Sequence, residues 1–153
     1  MDTFAANLVT PERTLLEEQV QAVFLRTDVG DSAYMPGHTA LIGALVPGLV
    51  RFQHEDGTEE RAAVHGGFVQ VAGDHVTVLA PVAERAEDID VERARRALEA
   101  ASQRVADLAG ARSGPGEGSE DSEAERELAD AEGAQRRAEV RLEAAGVADA
   151  RGA

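Results

Sequence analysis

The chain has 153 residues, 43% of them hydrophobic and 3% aromatic, with 15 basic and 29 acidic side chains and a formal net charge of −14. That length suits one domain or two small ones, and the charge argues against nucleic acid and anionic membrane surfaces as partners, since both select basic patches. Lysine and cysteine are absent, which excludes P-loop and Schiff-base chemistry, disulfides, thiolate nucleophiles and cysteine metal sites.

The opening residues MDTFAANLVTPE hold no basic n-region and no long apolar run, so neither a signal peptide nor a membrane anchor is expected and a cytoplasmic location is. Phe4 to Val9 is apolar and stops at Thr10-Pro11. Val20 to Arg26 reads as one strand, closed by Asp28-Val29-Gly30-Asp31. Gly48 to Gln53 and Glu59 to Val64 flank His54-Glu55-Asp56-Gly57, where Asp-Gly signals a hairpin turn. Phe68 to Val71 and Val76 to Leu79 flank a second turn at Ala72-Gly73-Asp74. Gly66-Gly67 interrupts the strand run, the mark of a bulge or a close backbone approach. Short strands at regular intervals indicate a β-sandwich or barrel rather than alternating βαβ units.

Packing capacity changes near residues 83–90. Residues 1–83 contain 27 Val, Ile, Leu, Met and Phe; residues 84–153 contain nine, with 18 alanines. The second part carries two helical stripes: Ala94, Ala97, Leu98, Ala101, Val105 and Leu108, then Leu128, Ala131, Ala138, Leu142 and Ala145. Asp90 stands at the N-cap of the first, and Ser122 with Glu125 reads as a capping box for the second. Ser113 to Ser119 is a Gly-rich turn, so the two stretches form an antiparallel hairpin with arms about 30 Å long. The expected organisation is a β-sandwich over 1–83, a linker over 84–89, a helical hairpin over 90–146 with a flexible turn at 113–122, and a disordered tail over 147–153. The stripes are narrow and mostly alanine, so the hairpin gains little from burial, at about 25 cal/mol per Å². Two readings stay open: a solvated tail that stabilises the domain, or a detachable element with two docking states.

No catalytic constellation stands out. His38, His54, His65 and His75 are scattered through the strand region without a histidine–carboxylate spacing, so no metal site is expected. His54 and His75 lie in or beside turns and read as solvated; His38 follows Pro36-Gly37 in a loop, an exposed position suited to a contact. The junction is more informative. Asp90 and Arg93 open the first helix, and Arg137 and Arg141, four apart, share one face of the second. The antiparallel hairpin brings that face toward Arg93, so three arginines and a helix N-terminus converge on a place suited to an anion such as a phosphate. Ordinary charge pairing within each helix explains the same residues equally well.

Several blocks together resemble the epsilon subunit of bacterial F-type ATP synthase. They are Leu8-Val9-Thr10-Pro11, Met35-Pro36-Gly37-His38-Thr39-Ala40-Leu41-Ile42, Val64-His65-Gly66-Gly67-Phe68-Val69-Gln70-Val71 and Val76-Thr77-Val78-Leu79-Ala80. Ile89-Asp90-Val91-Glu92-Arg93-Ala94 resembles the family's ATP-binding pattern I/L-D-x-x-R-A, and Arg137-Ala138-Glu139-Val140-Arg141-Leu142 its companion R-A-x-x-R-L. The resemblance covers residues 3–145. It implies a β-sandwich followed by a helical hairpin, in a non-catalytic rotor subunit peripheral to the cytoplasmic side of the membrane. The implied partners are the gamma subunit, the c-ring and, through an extended hairpin that blocks ATP hydrolysis, the alpha/beta head. It implies no required cofactor, with ATP as a regulatory ligand held by Glu84, Ile89, Asp90, Arg93, Ala94, Arg137 and Arg141, and a rotor contact at Asp31 and His38. The chain departs from the family where Ala33 replaces a usual glycine, implying a loop of different shape, and in its longer, acidic hairpin turn. The alternative is a small-molecule-binding β-barrel protein or enzyme with an accessory helical tail. A coiled-coil adaptor would need leucine-rich heptads, which are missing.

Overall fold

The computed structural model of the chain describes residues 2–111 and 120–147. Ten strands come first: β1 (Phe4–Val9), β2 (Thr14–Val20), β3 (Ala22–Thr27), β4 (Gly30–Tyr34), β5 (Leu41–Leu45), β6 (Gly48–Gln53), β7 (Glu59–Val64), β8 (Gly67–Ala72), β9 (His75–Leu79) and β10 (Ala83–Arg85). A 3-10 turn over Ala86–Asp88 leads into α1 (Val91–Ala111) and α2 (Glu120–Ala144). This is the expected sandwich followed by a helical hairpin.

The strands pair in the order β10-β7-β6-β3-β5-β8-β9-β1-β2, with β4 beside β3. β1 lies parallel to β9, and its other neighbour, β2, is antiparallel. The sheet closes over itself, because residues from both ends of this path share one core: Phe4, Leu8 and Val20 from β1 and β2 lie with Val50, Phe52 and Val64 from β6 and β7. The strict alternation of β1 and β6, buried at every second residue, shows a strand with one face in the core and one outside.

The strand boundaries differ from expectation in informative places. Val20 to Arg26 is not one strand: it breaks at Gln21, between β2 and β3. β2 has paired rather than alternating residues (Leu15-Leu16, Glu17-Glu18) and lies at the sheet's edge, so its period-2 signal is weak. β4, GDSAY, lacks apolar alternation and forms through pairing with β3. Ala33 lies within that strand, opposite Phe24, and no described residue other than glycine has a positive φ; the loop shape implied by the missing glycine is thus an ordinary hairpin arm. The segment 84–89 contains the last two residues of β10, which pairs with β7, and the 3-10 turn.

Asp90 caps α1, its Oδ1 accepting a hydrogen bond from the Arg93 backbone N–H at 3.1 Å. Asp90→Ala should lower helix stability by about 1 kcal/mol, seen as faster amide exchange in the first turn of α1 with no change in the strands. Ser122 lies inside α2, which begins at Glu120, so it is not the cap of that helix. The turn at 113–119 and the tail beyond residue 147 lie outside the described residues.

α1 and α2 pack along each other, joined by Gln135 Nε2 donating to Ser102 Oγ at 3.2 Å and by Arg104 with Glu127 at 3.8 Å, an antiparallel register. Ala94 and Ala101 of α1, and Ala131, Ala138 and Leu142 of α2, are buried. Ala97, placed in the stripe by spacing, is exposed. α2 has a second apolar face. Val140 and Ala144 pack on Ala63 of β7, flanked by Leu49 and Ile89. β7 therefore ends in three consecutive buried residues, Ala62, Ala63 and Val64, because the sandwich covers one side and α2 the other.

Candidate functional site at the junction of sheet and hairpin

The residues singled out at the junction occupy different environments. Glu84 of β10 and Arg141 of α2 meet directly, Arg141 Nε donating to Glu84 Oε2 at 2.6 Å. This charge-assisted bond ties the hairpin to the sandwich beside the small Ala63–Val140–Ala144 cluster. Ile89 packs on that cluster, and Ala94 of α1 is buried. Asp90 is committed to its helix cap. Arg93 and Arg137 are exposed. Within the described residues neither guanidinium has a hydrogen bond or ion pair, so intrahelical charge pairing does not account for them. The antiparallel register carries Arg93 toward the C-terminal half of α2.

His65 was missed as a member of this group. Its side chain is 4% exposed and its Nε2 lies 3.8 Å from Glu84 Oε2. β7 ends in the buried run Ala62-Ala63-Val64, and His65 follows it where β10 and α2 close over the strand end.

The rotor-contact pair lies elsewhere. Asp31 of β4 is exposed and accepts from Arg26 Nε at 2.7 Å. That hydrogen bond lowers the Asp31 pKa from its ordinary value and raises that of Arg26. His38 is half-buried rather than exposed: its Nδ1 is 2.8 Å from the Thr39 carbonyl oxygen, and its ring stands edge-on to Tyr34 at 5.1 Å. His54, expected in solvent, is held by Glu18 at 3.0 Å and lies near Glu60; the three come from different strands or turns, so spacing did not reveal the group. Glu60 there accepts from Arg85 at 2.8 Å.

Strands β5, β8 and β9 carry exposed apolar side chains. Ile42 (74% exposed), Phe68 (56%) and Leu79 (43%) belong to β5, β8 and β9. Phe68 pairs with Leu79, and Ile42 pairs with Gln70, two residues from Phe68, so all three lie on one outer face. An apolar hollow of about 580 Å³ adjoins Phe68 and Leu79, with Val9, Pro11 and Pro81 also in its lining. No helix among the described residues is long and apolar enough to cross a membrane.

Residues 3–86 match the family described as the ATP synthase Delta/Epsilon chain, beta-sandwich domain. The chain belongs to this family. The ATP synthase epsilon chain of Bacillus subtilis is 43% identical over 105 residues, 69% of this chain and 79% of that one. The epsilon chain of Solibacter usitatus is 46% identical over 98 residues, covering 64% and 72%. That of Streptomyces griseus subsp. griseus is 44% identical over 108 residues, covering 66% and 87%. Among solved structures, a chain of the Euglena gracilis mitochondrial ATP synthase, in an OSCP/F1/c-ring assembly, superposes with a TM-score of 0.71 at 26% identity, over 94% of this chain and 81% of that one. The match to the family's sandwich ends at residue 86, where β10 gives way to the 3-10 turn, whereas the structural likeness extends through most of the hairpin.

Proposed function

We propose that this chain is a non-catalytic central-stalk subunit of a proton-translocating F-type ATP synthase, peripheral to the cytoplasmic side of the membrane. Its sandwich holds the gamma subunit and the c-ring, and its hairpin regulates ATP hydrolysis by leaving the sandwich for the alpha/beta head. Family membership supports the stalk role, and so does the likeness to a chain within an F1/c-ring assembly. The exposed face of Ile42, Phe68 and Leu79 suits a protein partner, since an apolar patch of this kind on a soluble domain marks an interaction surface. Asp31 and His38 form the contact to the rotor ring.

The observation that carries the regulatory part is the mismatch of the two cores. Eighteen buried residues make the sandwich core, whereas three, Ala63, Val140 and Ala144, join the hairpin to the sheet. ATP is the regulatory ligand, with Arg93 and Arg137 as its phosphate partners beside Glu84, Ile89, Asp90, Ala94 and Arg141. No further cofactor is required. A nucleotide bound only to the docked form would add about 2.7 kcal/mol to docking at a hundredfold excess over its Kd.

The test is reconstitution with the remaining F1 subunits. A chain ended after Ile89 should still co-purify with gamma, while ATP hydrolysis by the complex rises above that with the full chain. Unchanged hydrolysis would remove the regulatory role and leave the stalk role. Calorimetry of the free chain with ATP should show binding that Arg93→Ala and Arg137→Ala both weaken; no heat at millimolar ATP would remove the nucleotide.

A further inference from the structure

His65 is a polar side chain that the proposed stalk role leaves unexplained, and among the described residues the one side chain with two buried atoms lacking a hydrogen-bond partner. It is almost fully enclosed, and neither Nδ1 nor Nε2 has a hydrogen-bond partner. A buried polar group without a partner carries a desolvation cost that a structural role would remove. The backbone at this point is fixed, the His65 N–H donating to the Val82 carbonyl at 3.1 Å, so the ring is held at the seam where the end of β7, β10 and α2 meet. The charged groups facing it are Glu84 from β10 and Arg141 and Arg137 from α2. Glu84 Oε2 is 3.8 Å from Nε2, beyond hydrogen-bond reach, and is already engaged by Arg141 at 2.6 Å. A neutral ring fits this seam. An imidazolium would place a third positive charge beside two guanidiniums, with one carboxylate to share.

We propose that His65 is a proton-operated release for the hairpin: protonation of its ring sets it against Arg141 in competition for Glu84 and drives α2 off the sheet. This rests on the regulatory role proposed above and names the signal that the docked state senses. The release lies at the tie between hairpin and sheet. The Glu84–Arg141 bond is the ion pair between β10 and α2, and the apolar contact beside it is three residues deep.

The direction of the effect follows from linkage. In the docked state burial, then Arg141 and Arg137, hold the His65 pKa below its ordinary value of 6.5, with Glu84 opposing them. Once α2 leaves, the arginines go with it and the ring meets water, so the undocked state binds more protons. Docking is therefore at full strength above the ordinary value and weakens as pH falls through it toward the lower, docked value. For a single proton the docking constant falls by at most about tenfold per pH unit in that window. Acidification of the surrounding compartment would free the hairpin.

The chain has no cysteine, so thiols introduced at Glu12 of the sandwich and Ala106 of α1, both exposed, can carry a donor and an acceptor dye on the full-length protein. Energy transfer is followed from about pH 8 to about pH 5.5, above the ordinary carboxylate range. The wild-type docked fraction should fall with pH, and His65→Gln should flatten the response. Val140→Glu, which forces a charge into the α2–sheet contact, serves as the undocked reference. An equal response in His65→Gln, or a flat wild type while Val140→Glu lowers transfer, overturns the proton release and leaves the mobile hairpin standing. If Val140→Glu leaves transfer unchanged, the hairpin is not separable and both proposals fall. Should His65→Gln perturb folding, the ring resonances of wild-type His65 decide: a titration at the ordinary value with the hairpin docked overturns the release.

Discussion

Phe52→Ala should destabilise the sandwich by about 3–5 kcal/mol, whereas Val140→Ala should loosen the hairpin by about 1–3 kcal/mol and leave the sandwich intact. Phe52, next to the end of β6, is fully buried inside a core of eighteen residues drawn from most of the strands. Its removal opens a cavity in a close-packed interior that cannot collapse without moving paired strands. Val140 is equally buried, but its neighbours are Ala63, Ala144 and the partly buried Leu49 and Ile89. Deleting its methyl groups weakens an apolar contact that is already thin, one that joins the two parts of the molecule alongside the Glu84–Arg141 and Arg136–Pro47 hydrogen bonds. The chain supplies its own probes. It has no tryptophan and one tyrosine, and Tyr34 is buried in the sandwich core, so its fluorescence reports the strands. The far-UV helix signal reports the hairpin. Phe52→Ala should lower the denaturation midpoint seen by Tyr34. Val140→Ala should shift the helix signal alone. A common shift of both signals for Val140→Ala would make the molecule one cooperative unit and would argue against a hairpin that moves.

The parts of the fold that could be read in the residues are those where one interaction dominates. β6 and β7 joined by an Asp-Gly turn, β8 and β9 joined by Gly73-Asp74, and the Asp90 cap each follow from local chemistry, and each stands where it was expected. β4 and β10 were not legible, because their residues have no strand preference of their own and pair only because β3 and β7 present an open edge. The second face of α2 was hidden for a related reason. Val140 and Ala144 fall outside the stripe that meets α1, and what gathers them is the sheet beneath.

The candidate site divides the same way. Spacing points to Asp90 and Arg141 and the family resemblance adds Glu84; the fold joins Glu84 to Arg141 and turns Asp90 into a helix cap. Arg93 and Arg137 stay exposed. His65 gains its surroundings only when β7, β10 and α2 come together, and nothing local to Val64-His65-Gly66 announces an arginine from α2, 76 residues further along the chain, as its neighbour.

Gly67→Ala should cost about 3–5 kcal/mol, although it adds a single methyl group at a half-buried position. Gly67 opens β8 with φ +110, a conformation that L side chains rarely adopt. A Cβ there would also collide with the Leu79 carbonyl oxygen and lie 2.9 Å from the Ala80 Cα. Both obstacles are backbone, and β9 is pinned between β8 and β1, so neither can yield by a side-chain rotation. Gly73, at φ +57 in the two-residue turn between β8 and β9, separates the two contributions: a Cβ there meets nothing within 4 Å. Gly73→Ala should therefore cost about 1–2 kcal/mol from backbone strain alone. The difference between the two substitutions, measured by urea denaturation with Tyr34 as probe, isolates the close approach of β8 to β9. That approach also sets the register in which Phe68 lies opposite Leu79 on the outer face. Under the proposed stalk role, with the outer face as a partner surface, a Gly67→Ala protein that still folds should bind the gamma subunit more weakly than Gly73→Ala does. Equal stability losses at the two glycines would show that the strands can part to admit the methyl group, and would unlink the tight glycine from the partner surface it supports.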